Sequence, residues 1–255
     1  MAVGPALVAI DTHDSAKRRA LTTFPGDAAI DWITLDQPHG RVFFGVTSGC
    51  DPGVNGMYEM PAAGGTRRKI AAIGNRAAVS PDGTKLAYSV QTDGCGSENL
   101  VVQDIAGGQV HMYLGHRDVS VGGWSADGQS VLIDSYEKGN PAVFRFRPFV
   151  AGAQLDRSAP WDTGIAADSG AGRVAIIDGC PGDSPSGVCK VGVRTRSGRG
   201  AGPDYDFGTD VGAQGLSIDA SGQWPLMIRG DSRPVVAYFS AGSWHELAPG
   251  NAADW

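Results

Sequence analysis

The sequence predicts an all-β protein, a β-propeller built from repeated four-stranded sheets. Three observations predict it: a turn motif recurring about every 45 residues, a second glycine hairpin alternating with it, and a composition heavy in turn residues. Of 255 residues, 38 are Gly, 15 are Pro and 42% are apolar. That is enough apolar matter for a core and too much punctuation for a helical bundle or a disordered chain. Against 27 Asp and Glu stand 21 Lys and Arg, a formal charge of −6. A nucleic-acid binder would carry a basic face instead. Apolar runs such as Val42-Phe43-Phe44 fall far short of the ~18 residues a spanning helix needs, so no membrane span is expected.

The first hairpin is clearest in two segments, Ala78–Tyr88 and Gly123–Ile133. Both read as apolar residues, Ser-x-Asp-Gly, one or two polar residues, then apolar residues again. Ile33–Val42, Ala167–Val174 and Leu216–Trp224 repeat the pattern loosely, with turn glycines at Gly40, Gly83, Gly128, Gly172 and Gly222. Asp-Gly between β-rich runs marks a hairpin, because Gly accepts the positive φ that reverses two antiparallel strands. The second hairpin has its tips at Asp14-Ser15, Gly64-Gly65, Gly107-Gly108, Gly152, Gly198 and Gly242. Its flanks include Ala6–Ile10, Leu100–Val102, Val143–Phe146, Lys190–Val193 and Val235–Phe239. Two hairpins per period give four strands, A to D, which is one propeller blade. The Ser-x-Asp-Gly hairpin is A–B and the second is C–D.

Ser80-Pro81-Asp82-Gly83-Thr84-Lys85-Leu86-Ala87-Tyr88 resembles the repeat of TolB-type propellers. Leu7-Val8-Ala9-Ile10-Asp11 followed by Lys17–Thr22 resembles the C–D hairpin of that repeat. The resemblance implies a propeller over nearly the whole chain and says little of function, since such propellers serve as binding scaffolds, peptidase gating domains and occasional enzymes. No segment resembles the additional α/β domain of TolB. Six C–D hairpins but five complete A–B hairpins are counted. We therefore expect six blades, with strands in residues 5–23 completing a closing blade that the C-terminal strand at Asn251–Trp255 begins; this hides two sheet edges. Five blades with an extra hairpin is the alternative. No interior linker is marked, so residues 1–255 are expected to form one domain.

The cysteines, Cys50, Cys95, Cys180 and Cys189, contain no C-x-x-C pair and have no neighbouring His, so no metal is expected at them. All four fall between strands B and C, on one face of the disc. Bridges Cys50–Cys95 and Cys180–Cys189 are expected, and with them an extracytoplasmic or secreted location. Met1–Pro5 has neither the charged start nor the apolar run of an export signal, so Met1 is read as standing where a removed signal or anchor was. The Ala- and Gly-rich composition suits a bacterial source.

Nucleophile-elbow, Walker, zincin and EF-hand patterns are absent. Ser217–Trp224 approaches a sialidase Asp-box, a turn element without catalytic duty, and Arg229-Gly230-Asp231-Ser232 is read as a chance string. His13 and His39 are read as exposed turn residues, Trp32 and Trp124 as core. The D–A loops and A-strand starts converge on the central channel, and they carry Asp27, Asp31, Asn75, Arg76, His116, Arg117, Asp118, Trp161, Asp162, Asp210, Asn251 and Asp254. Of these, Arg76, Arg117, Asp118, Trp161, Asp162 and Asp210 are the candidate ligand-binding residues for a small polar ligand. The B–C loops add Asp51, Asp93, Glu98, Glu137, Asp178, Asp183 and Asp231 without a spaced calcium pattern; no cofactor is expected, calcium being the one alternative. The leading expectation is a non-catalytic module that binds a protein partner through the B–C loop face. The alternative is a lyase, hydrolase or cyclase using His116, Asp118 and Asp210 as acid/base groups at the channel mouth.

Overall fold

The computed structural model describes residues 1–3, 5–11, 14, 16–49, 52–72, 74–91, 98–117, 119–125, 127–137, 140–153, 166–168, 173–178, 188–195, 200–209, 213–219, 221, 223, 225–229, 235–240 and 243–250. Among them are six antiparallel sheets. Sheet I holds β1 (Ala2–Val3), β2 (Ala6–Ile10) and β3 (Arg18–Thr23); sheet II holds β4 (Ala29–Asp36), β5 (Arg41–Thr47), β6 (Gly56–Pro61) and β7 (Arg68–Ala71). Sheet III holds β8 (Asn75–Val79), β9 (Lys85–Gln91), β10 (Glu98–Asp104) and β11 (Val110–Arg117); sheet IV holds β12 (Val119–Trp124), β13 (Val131–Glu137) and β14 (Asn140–Phe146). Sheet V holds β15 (Ala166–Asp168), β16 (Arg173–Asp178), β17 (Val188–Thr195) and β18 (Gly200–Thr209); sheet VI holds β19 (Ala213–Ile218), β20 (Pro225–Arg229), β21 (Val235–Ser240) and β22 (Ser243–Pro249).

Each sheet is a meander, and its first strand touches the first strand of the next. Strand β4 lies against β8, β8 against β12, β12 against β15 and β15 against β19, while β1 and β2 lie against β4. Inner strands that succeed one another in this way define a propeller.

The period-2 alternation of a strand explains why the sheets must stack. In β5, Val42, Phe44 and Val46 enter a core shared with Leu7 of sheet I and Leu226, Ile228 and Val236 of sheet VI. Phe43, on the other face, joins Trp32, Leu86, Tyr88 and Val101 between sheets II and III. Leu100 and Val102 turn away from Val101 to meet Val121, Trp124 and Ile133 of sheet IV. Both faces of a sheet are thus apolar and need a neighbour on each side.

Sheet I has three strands, and the strand beside β2 is Ala2–Val3, with Ala2 opposite Leu7 and Val3 opposite Ala6. Residues 251–255, where the closing strand was expected, lie outside the described residues. Sheet I is nevertheless packed into the ring. Phe24, which follows β3, meets Tyr58 edge-on at 5.2 Å, and the Arg67 guanidinium covers its other side 4.1 Å from the ring centre.

Candidate functional site

The inner strands carry a repeated irregularity, which in β4, β8 and β19 falls at the end of the ring where A strands begin and B strands finish, and in β12 nearer the A–B turn. Register slips between Ile30 and Trp32 of β4, Asn75 and Ala77 of β8, Val121 and Gly123 of β12, and Ala213 and Gly215 of β19. The extra residues are Asp31, Arg76, Gly122 and Gln214, one in each of four inner strands. A bulge bends its strand and re-aims the added residue, and bulges gather next to ligand sites. Arg76 has φ +38°, a conformation that costs a non-glycine residue energy and is held in place by its surroundings.

Asp31 reaches solvent but stands among packed chain, so desolvation raises its carboxyl above the usual range while a hydrogen bond from Thr47 opposes the rise. Nearby, the connection before β4 is bonded to the connection after β5. Ser48 Oγ donates to Asp27 Oδ1 at 2.6 Å and the Gly49 amide to Oδ2 at 3.0 Å, so both carboxylate oxygens are engaged. The Ser48 amide donates to Asn55 Oδ1 at 2.6 Å, and Tyr58 holds the Val54 carbonyl at 2.7 Å. The loop between β5 and β6 is fastened by these four bonds.

Of the sequence-predicted residues, Arg76 lies on the bulge of β8, and His116 and Arg117 end β11 beside the start of β12. Asp118, Trp161, Asp162 and Asp210 lie outside the described residues, as do Cys50, Cys95 and Cys180; Cys189 is the second residue of β17. No group of three metal-ligating side chains occurs among the described residues. Nor is any helix among them long and apolar enough to cross a membrane. Of the acidic residues expected in the B–C loops, Asp51, Asp93, Asp183 and Asp231 lie outside the described residues, whereas Glu98, Glu137 and Asp178 stand at strand ends, in β10, β13 and β16, rather than in loops. The bulges were missed in the sequence, and Gln214 and Gly122 with them.

The opposite end holds a His–carboxylate pair whose work is structural. His39 Nδ1 lies 2.7 Å from Asp36 Oδ1, whereas Asp36 Oδ2 accepts from Arg41 Nε at 3.0 Å and Nη2 at 2.5 Å. Arg41 also donates to the Gly83 carbonyl at 2.7 Å and to Glu59 at 3.3 Å, and Glu59 in turn takes Arg68 at 2.5 Å. These bonds tie sheet II to the A–B turn of sheet III. His39, exposed at its turn as expected, also belongs to this tie. In the Ser-x-Asp-Gly turns, Asp82 accepts from Ser80 Oγ at 2.6 Å and from the Thr84 amide at 3.1 Å, and Asp127 repeats both bonds with Ser125 and Gln129. These bonds lower the Asp82 carboxyl below its usual range.

The ring of stacked three- and four-stranded meanders is a β-propeller. It is similar to TolB from Acinetobacter baumannii, with a TM-score of 0.72 and 15% identity over 98% of this chain. The chain spans 62% of that protein's length. A chain of a nidogen/laminin complex superposes with a TM-score of 0.71 at 9% identity, covering 99% of this chain and 95% of that one. The β-propeller domain of the Trilobed protease from Pyrococcus furiosus, described as having an open velcro topology, gives 0.57 at 14% identity over 89% of this chain and 85% of that one. No protein-family model and no curated protein matches the chain. At such identities the likeness is one of fold, and the fold is that of a TolB-like propeller.

Proposed function

We propose that the chain is a non-catalytic, extracytoplasmic binding propeller that takes a protein partner on the face formed by its B–C and D–A connections. The observation that carries this reading is the fastening of that face by Asp27, Ser48, Gly49 and Asn55. A loop already held in one conformation loses less entropy on docking than a free one. The bulges of β4, β8 and β19, with Asp31 and Arg76 on neighbouring strands, support a polar contact or a small polar ligand at the centre of the same face. TolB and the nidogen/laminin complex are similar in fold and agree with such a role. The Cys50–Cys95 and Cys180–Cys189 bridges belong to this proposal because they would stiffen the same loops.

The test is affinity capture from the extracytoplasmic fraction of the source organism. The intact chain should retain a protein that a variant with Asp51, Asp93 and Asp183 changed to Lys does not, while Lys17→Glu on the far rim leaves retention unchanged. Retention that ignores the triple variant would reject this face. Intact mass measured without reductant should be lower than the reduced mass by the hydrogens lost in two bridges; four free thiols would sink the extracytoplasmic reading.

A further inference from the structure

Sheets I and II meet along a seam rich in cations. Lys17, Arg18 and Arg19 lie at the start of β3, and Arg67, Arg68 and Lys69 at the start of β7, the last strands of their sheets. All six side chains are exposed. In a chain of formal charge −6, this is a place where the local field opposes the net one.

Part of this charge is answered within the chain. Lys17 stands 3.5 Å from Asp14, and Arg68 pairs with Glu59, which it shares with Arg41. Arg19 and Arg67 are different. Arg19 Nη1 crosses the seam to donate to the Ala63 carbonyl at 2.8 Å, and Arg67 Nη1 crosses back to Thr22 Oγ1 at 2.7 Å and the Thr23 carbonyl at 3.4 Å. Each of these acceptors is uncharged. In both guanidinium groups one terminal nitrogen makes all the hydrogen bonds, and the Nε–Nη2 edge has no partner among the described residues.

Packing fixes both groups in place. The Arg67 guanidinium lies 4.1 Å from the ring centre of buried Phe24, a cation–π contact. Gly64 leaves room for Arg19, since a Cβ there would stand 3.1 Å from its Nη1. An arginine anchored in this way has already given up much of its rotamer freedom, so docking costs it less. Its remaining edge offers two parallel N–H donors, the arrangement that matches a carboxylate.

We propose that this seam is a second docking site, which takes an acidic segment of a protein partner, one carboxylate on the open edge of Arg19 and another on that of Arg67. Charge sets the sign of the occupant, and the narrowness of the cationic strip sets its width. A broad anionic surface such as a bilayer would also meet the acidic remainder of the chain, whereas a single segment feels chiefly the charges within a Debye length of ~8 Å. The connection between β6 and β7 is a C–D turn, at the opposite end of the ring from the B–C and D–A connections assigned above to the main partner. Either site can therefore fail without the other.

The probe is a labelled synthetic peptide of alternating glutamate and serine, titrated into the full chain by fluorescence anisotropy. Binding should saturate, weaken as salt is raised, and fall at least about tenfold in Arg19→Gln and about fivefold in Arg67→Lys. The lysine keeps the charge, so the loss reports the two-donor edge. Arg19→Gln uncovers no buried ring, so a folding defect at Arg67 leaves the test intact. Lys85→Gln, whose charge Asp104 already answers, should bind as the parent does. Absence of saturable binding, or undiminished affinity in both arginine variants, would overturn the site. Tighter binding of a sulfated polysaccharide, or sedimentation with phosphatidylglycerol vesicles that Arg19→Gln abolishes, would give the seam to another anion and overturn the acidic-segment assignment.

Discussion

Asp31 shows how a single residue inserted in an inner strand acquires a distinct electrostatic setting. Desolvation raises its carboxyl, so ionising it costs more in the folded chain than in the unfolded one, where an aspartate titrates near ~3.9. Its contribution is therefore least unfavourable at low pH, and the penalty grows as pH climbs from the unfolded value through the folded one. Replacing Asp31 by Asn removes the charge. Because the group touches solvent, screening keeps the gain at neutral pH below ~1 kcal/mol, less than the ~2–4 °C in melting temperature that such an energy gives a chain of this size. The variant should melt slightly higher than the parent at pH 7 and no higher at pH ~3. A variant less stable at both pH values would show that the Thr47 bond outweighs desolvation.

At the scale of the element, the A–B turns explain why some glycines are irreplaceable and others are not. Gly83 and Gly128 occupy equivalent turns with φ +68° and +67°. A Cβ at Gly128 would meet Pro81 Cδ at a comfortable 3.7 Å, whereas one at Gly83 would lie 2.5 Å from the His39 ring. Gly128→Ala should cost the ~1–2 kcal/mol of the left-handed backbone alone. Gly83→Ala should cost about 1 kcal/mol more in denaturant unfolding, because it displaces His39 from Asp36. Equal losses would mean that the His39–Asp36 contact contributes nothing.

These turns were legible in the sequence because their chemistry is local: Ser80, Asp82, Gly83 and Thr84 satisfy one another within five residues. The same bonding hides in altered letters elsewhere. Asp219 accepts from the Ser221 amide at 3.0 Å and from the Gln223 amide at 2.9 Å, and so holds its turn although the order of Ser and Asp is reversed. The bulges were not legible. Inner strands have small or apolar residues on both faces, so the alternation that would betray an extra residue at Arg76 or Gly122 is missing. The burial of Trp32 and Trp124 was legible, but not their bonds to the Gly74 and Ala78 carbonyls at 3.1 and 3.0 Å, since those partners lie a whole repeat away.

At the scale of the molecule, the account turns on closure. A propeller whose first and last sheets did not meet would leave two apolar faces in water, and here the core around Leu7 joins sheets VI, I and II. Leu7 is 1% exposed, Phe44 and Val236 are fully buried, and Phe24 packs against both Phe44 and Tyr58. The proposed binding face depends on that closure, because its connections are carried by strands that the ring holds in place. The most direct measurement is to delete residues 1–23 and follow the remaining chain by sedimentation and thermal unfolding. Closure through sheet I predicts insoluble or oligomeric protein, or a melting temperature far below the parent's, as Ile30, Val42, Phe44 and Val236 lose their cover. A soluble monomer that melts at the parent's temperature would show that sheet I is no part of the ring and that five sheets close on themselves.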